Sequence, residues 1–305
     1  MAALCAAIAL LAGIASAVGV FARGTGAVET VTSVRGATFD MVIDGVYANN
    51  ARALVAEGVG WDIFTLFLAV PATLVAGVLV ARGSFRGRSF ALGMLGYFFY
   101  QFLEYAVTWA FGPLFLVFVV IYAASLAGIV WIGVDVAREG LAGRFTADFP
   151  RRSWAALSVT MAVLLTVLWV QRIVAALGGD LIGGGLTSET TMTVQALDLG
   201  LVVPASVFIA VLAWRRSPAG YAMAAAYVVT FAAMAAAIVG MLLSAWAVNG
   251  ELALPPVIVF TAAAAVAVAL GVRMYGFGIR GTSRTTVTSL RDLPRSGKPA
   301  EASAR

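Results

Sequence analysis

The 21 residues from Leu114 to Val134, LFLVFVVIYAASLAGIVWIGV, contain no charged side chain. A helix needs roughly 20 apolar residues to cross the hydrocarbon core of a bilayer. The run is too long and continuous for a barrel strand, and only helices or closed barrels keep every backbone polar group bonded inside lipid. It is therefore read as a transmembrane helix, entered through Gly112-Pro113 and left at Asp135.

Working outward from it, apolar runs bounded by charge, Gly and Pro predict further helices near 2–22, 62–81, 89–111, 154–176, 195–214, 219–246 and 256–272. The fold class is an all-α membrane protein with about eight transmembrane helices over residues 1–275. Composition agrees, since 62% of the residues are hydrophobic and 11% charged, against about 25% charged in soluble domains. A single cysteine, Cys5, and no histidine exclude a disulfide framework, a Cys/His zinc site and every Ser-His or Cys-His catalytic arrangement. No cofactor is implied. Ala15-Ser16-Ala17 resembles a leader cleavage site, but no basic stretch precedes the apolar run, so a first transmembrane helix is the preferred reading.

Basic residues divide unevenly between the two sets of loops. Segments 82–88, 135–153 and 215–218 and the tail from Arg273 hold 16 of the 20, while the other side has only Arg23, Arg35, Arg52 and Arg172. The positive-inside rule then predicts cytoplasmic N- and C-termini. Arginine outnumbers lysine 19 to 1, a bias read as that of a GC-rich bacterial genome, and the expected location is a bacterial cytoplasmic membrane. The expected partners are the lipid bilayer and anionic lipid headgroups at the basic loops and tail; nucleic acid is not expected, because no basic domain interleaved with aromatics exists. Residues 276–305, rich in Gly, Ser, Thr and Arg, read as a disordered basic cytoplasmic tail. Segment 23–61 reads as extracytoplasmic, with a short strand at 29–35 and an interfacial helix at 47–57.

An internal match suggests duplication. VPATLVAGVLVARGSFRG at 70–87 and VPASVFIAVLAWRRSPAG at 203–220 align at an offset of 133, and Pro113 and Arg138 answer Pro255 and Arg280 at 142. Two parallel four-helix repeats, 1–138 and 150–275, are the expectation, an arrangement that occurs in some transporters.

The third predicted helix is the least apolar. Spacings of three and four place Tyr97, Gln101, Glu104 and Thr108 on one face, flanked by Tyr100 and Tyr105. Glu104 is the only acid well inside an apolar run, and charge at such depth usually faces protein or a wet cavity. Asp62, Gln171, Arg172, Gln195 and Asp198, near other helix ends on the same side, are the candidate companions, with Arg172 the obvious cation for Glu104 or Asp198. The offset sets Met234 opposite Gln101 and Ala237 opposite Glu104, so any site here is asymmetric. The cluster either fixes helix register or carries a proton or cation.

The run from Asp62 to Phe118, above all RGSFRGRSFALGMLGYFFYQ at 82–101 and FGPLFLVFVVIYAASL at 111–126, with weaker likeness around QALDLGLVVP at 195–204, resembles an uncharacterised family of bacterial multi-pass membrane proteins. The resemblance implies a membrane protein and no mechanism. Three functions stay open: a small-solute or ion transporter, a non-catalytic scaffold, sensor subunit or assembly partner for an unidentified membrane protein, and an enzyme, for which a lone carboxylate among tyrosines is a thin inventory.

Overall fold

The computed structural model describes residues 1–186 and 188–280. Among them run eight long helices: α1 Ala2–Phe21, α2 Arg52–Ala81, α3 Phe85–Thr108, α4 Phe115–Arg138, α5 Arg151–Leu177, α6 Thr193–Trp214, α7 Pro218–Asn249 and α8 Leu254–Gly278. Seven are long and apolar enough to cross a membrane. The eighth, α3, has 24 residues and lies largely buried among the others. The protein is thus an all-α, multi-pass membrane protein. Residues 281–305, most of the segment read as a disordered tail, lie outside the described residues.

Beyond shifts of a few residues at helix ends, three differences from the sequence reading stand out. The second helix starts at Arg52, not at residue 62, and absorbs most of the segment expected to be an interfacial helix. Gly58 and Gly60 look like helix breakers but serve close packing. A Cβ on Gly60 would lie 2.2 Å from the Gly240 carbonyl oxygen, and one on Gly58 would lie 2.3 Å from the Trp109 ring. The predicted strand is half of a hairpin, β1 Val28–Thr32 paired antiparallel with β2 Thr38–Val42. The last helix runs to Gly278, and Ile279 beyond it pairs with Phe145.

The offset of 133 recurs in the backbone. Both α2 and α6 contain a wide π turn, Thr65–Ala69 in one and Asp198–Val202 in the other, and each is followed two residues later by proline, Pro71 or Pro204. Proline offers no N–H and crowds the preceding turn, and a widened turn relieves that crowding. The connections that follow match as well. Ser84 accepts from Gly87 N at 3.1 Å to cap α3, and Ser217 accepts from Gly220 N at 3.5 Å to cap α7. A Cβ on Gly87 or Gly220 would come within 2.5 or 2.7 Å of the Cβ of Leu79 or Leu212, again 133 residues apart.

The arginine-bearing loops converge at one end of the bundle, where they tie helices together. Arg88 binds Asp135 at 2.8 Å and Glu139 through two bonds of 2.6 Å, clamping α3 to α4. Arg86 donates to the Ile279 carbonyl at 2.5 Å, and Arg151 donates to that of Trp214 at 3.0 Å. Phe149 stacks on Tyr221 at 4.4 Å between ring centres. At the opposite end lies the hairpin, joined to the 178–192 connection by Arg35 donating to the Thr190 carbonyl.

The closest backbone approaches between the first four helices and the last four run along α7. Along α3 and α7, a Cβ on Gly93 would lie 2.4 Å from the Ala226 oxygen, and Thr230 donates to the Gly93 carbonyl at 2.8 Å. Along α2 and α7, Gly60 meets Gly240 backbone to backbone.

Candidate functional site

The residues that answer Gly60 and Gly240 across the offset are Thr193 in α6 and Val107 in α3. Neither is glycine: Thr193 borders the cavity that lies there, and Val107 is half exposed. Between α3 and α6 lies a partly open cavity of about 1190 Å³, reached also by α2, α4, α5, α7 and α8. Most of its wall is apolar. Its charged lining consists of Glu57, Glu104, Glu189 and Asp198 and the single base Arg172.

Glu104 is 4% exposed, and its Oε2 is buried with no hydrogen-bond partner. One turn on, the Thr108 hydroxyl likewise makes no well-formed hydrogen bond, but it lies near enough to act on Glu104 as the one neighbouring side-chain donor. The charges near enough to act on Glu104 are Glu57, Asp198 and Glu189, all acidic. Asp198 is in a different position. It accepts from the Tyr100 hydroxyl and from Trp169 Nε1 at 2.8 Å, so α3, α5 and α6 are joined at one carboxylate. Gln195, buried a turn earlier, completes that part of the wall.

Arg172 is not the counter-charge expected for Glu104 or Asp198. It makes no ion pair with either and lies over the Trp169 ring, 5.2 Å from its centre. The helix explains the choice: Trp169 precedes Arg172 by three residues on the same face, and an aromatic face offers a cation a partner without drawing it out of water. Gln171 is exposed on the outside of α5 and takes no part in the cluster.

The polar stripe of α3 is shared between two environments. Tyr97 and Gln101 face α2, where Thr65 Oγ1 lies 2.7 Å from Tyr97 Oη and donates to Gln101 Oε1 at 2.8 Å. Tyr105 donates to the Gly58 carbonyl at 3.1 Å and reaches Asp62 at 3.5 Å. Asp62 is fully enclosed and takes its main bond from Tyr47 Oη at 2.5 Å. Gly19 of α1 makes room for that pair, since a Cβ there would fall within 2.1 Å of Asp62. Asp62 under Tyr47, and Tyr97 and Gln101 on Thr65, are therefore packed in two groups away from the cavity, while Glu104, Tyr100, Tyr105, Arg172, Gln195 and Asp198 line it.

Family models, curated proteins and solved structures were compared with this chain and none matches. The chemistry of the site rests on its own geometry. A carboxylate oxygen held in an apolar wall without a donor is costly by several kcal/mol, and a proton, a cation or a donor group removes that cost. Among the described residues no three Cys, Asp or Glu side chains come together as a metal-binding set.

The residues that the sequence reading missed are Tyr47, Thr65 and Trp169. Thr65 was legible, three residues beyond Asp62 on the same face. Trp169 stands in the same relation to Arg172. Tyr47 opens the segment expected to be an interfacial helix, and nothing in the sequence ties it to Asp62.

Proposed function

We propose that the protein carries a small solute or ion across the membrane through the cavity between α3 and α6, with Glu104 as the carboxylate that binds and releases the coupled proton or cation. One observation carries this reading: the unpartnered Oε2 of Glu104, buried in the wall of a cavity of about 1190 Å³. A carboxylate serving only helix register would be expected to have donors, as Asp62 has. The size of the space favours a solute over a bare ion.

The same reading sets the arginine-bearing end in the cytoplasm of a bacterial inner membrane, with the exposed Arg82, Arg138, Arg152, Arg215 and Arg216 against anionic headgroups. The 16 to 4 division of basic residues supports it.

The test is proton-coupled uptake by the full chain in lipid vesicles, read with an internal pH dye across a panel of apolar amines, acids and neutral solutes. Wild type should acidify or alkalinise the lumen with at least one class, and Glu104→Gln should lose most of that rate. Rates equal to protein-free vesicles, or unchanged in Glu104→Gln, would sink the proposal.

A further inference from the structure

The cavity brings together three features that select a ligand by charge. Its wall is mostly apolar, and its charged lining holds four carboxylates and one base. That base sits over Trp169 and acts on Glu57, so three carboxylates remain in excess, Glu104 among them. The deepest of the acids, Glu104, is 96% buried by its 4% exposure and has an oxygen with no donor. An anion entering here would meet acids; a neutral apolar molecule would fill the space and leave Glu104 unmatched. A cation on an apolar body would meet both needs, and tyrosine and tryptophan faces attract cations as Trp169 does Arg172.

We infer that the cavity binds an organic monocation, an ammonium-type charge on an apolar or aromatic body, with Glu104 as its counter-charge and Tyr100, Trp61 and Phe231 among the surrounding rings. The inference rests on the reading of this cavity as a solute site and adds the substrate class. Two sources share that chemistry, a free lipophilic amine and the amine headgroup of a lipid whose chains lie along the same wall. Arg172 shows on the cavity wall how such a charge is held, and Glu104 supplies the full negative charge that Trp169 lacks.

The experiment measures binding to the purified full chain in detergent, so it does not depend on transport. Tetraphenylphosphonium and tetraphenylborate have nearly the same shape and opposite charge, and triphenylphosphine oxide is a neutral comparison. The expected result is tighter binding of the phosphonium than of the borate by about ten-fold or more, the equivalent of roughly 1.4 kcal/mol. Glu104→Gln should weaken the phosphonium by a similar factor and leave triphenylphosphine oxide unchanged. Should that variant fail to fold, Glu57→Gln is expected to weaken the phosphonium by about three-fold, the smaller effect of a more distant charge. Displacement of the phosphonium by a soluble aromatic amine would identify a free cation as the ligand class, and displacement by short-chain phosphatidylethanolamine an aminolipid; both support the inference. Equal or tighter binding of the borate would overturn it, as would displacement by short-chain phosphatidylglycerol but by neither amine. Phosphonium binding retained without any proton-coupled uptake would sink the transport reading alone. Uptake of neutral or acidic solutes with no phosphonium binding would sink the cation inference alone.

Discussion

The contact of α2 with α7 and that of α6 with α3 stand at matching places along the 133-residue offset, yet one is closed and the other open. In the first, Gly60 and Gly240 let two backbones touch, and the neighbouring carboxylate, Asp62, is sealed under Tyr47 and Tyr105. In the second, Thr193 and Val107 occupy the matching positions, and Glu104 borders a cavity without a donor. The difference teaches that two glycines let one pair of backbones meet and seal the carboxylate beside them, whereas at the other place Glu104 and Thr193 border open space.

The largest expected effect comes from spoiling the closed side. Gly60→Leu forces a side chain onto the Gly240 carbonyl and should cost about 3 kcal/mol by detergent or thermal unfolding, whereas Val107→Leu, at the half-exposed matching position, should stay within about 0.5 kcal/mol. Equal losses would erase the contrast between the interfaces.

The two carboxylates give the next test. Asp62→Asn disturbs a satisfied buried group and should destabilise by about 2 kcal/mol, while Glu104→Gln removes an unmatched charge and should be neutral or stabilising by about 1 kcal/mol without ligand. A large loss of stability in Glu104→Gln would mean that its carboxylate has a partner after all.

Arg172→Gln should cost only about 0.5 kcal/mol, the worth of an exposed cation on an aromatic ring. A loss of about 3–5 kcal/mol would instead reveal a buried pair with Asp198.

The smallest effect lies outside both interfaces. Asp44 accepts from Thr25 N at 2.7 Å and Thr25 Oγ1 at 2.6 Å, and these bonds, the hydroxyl's first, hold its carboxyl below the ordinary value of 3.8. A lowered pKa means that this tie is fully present above the ordinary value and is lost as pH falls through the lowered one. Thr25→Ala should return Asp44 toward 3.8 in an NMR titration and leave the unfolding of the helix bundle unchanged.

Much of this architecture was legible because bilayer physics is restrictive. Uncharged runs such as 114–134 leave the chain no alternative to a helix, and eight helices followed from length and charge alone. The start of α2 was not legible, because Gly58 and Gly60 carry the same letters whether they end a helix or admit a neighbour. At the site, helical spacing identified Glu104 and its stripe on α3; of the expected companions Gln195 and Asp198 line the same cavity, whereas Asp62 is packed away from it under Tyr47. The spacing could not say that α2 would take Tyr97 and Gln101 and leave Glu104 to the cavity, since that depends on which neighbour covers each turn. Arg172 was misassigned for a related reason: opposite charge suggests a partner, but the nearer aromatic ring on its own helix was the one it found.

Arg88 adds a matter of timing. Its carboxylate partners Asp135 and Glu139 lie 47 and 51 residues further along the chain. In a chain made from its N-terminus, α3 emerges with a guanidinium, in its first turn at the arginine-bearing end of the bundle, whose carboxylate partners have not yet been made. Only when the far end of α4 arrives can the ion group close. The α3–α4 fastening is therefore complete only once both helices have been made, so the ion group links the two in the order of their synthesis as well as in the finished bundle.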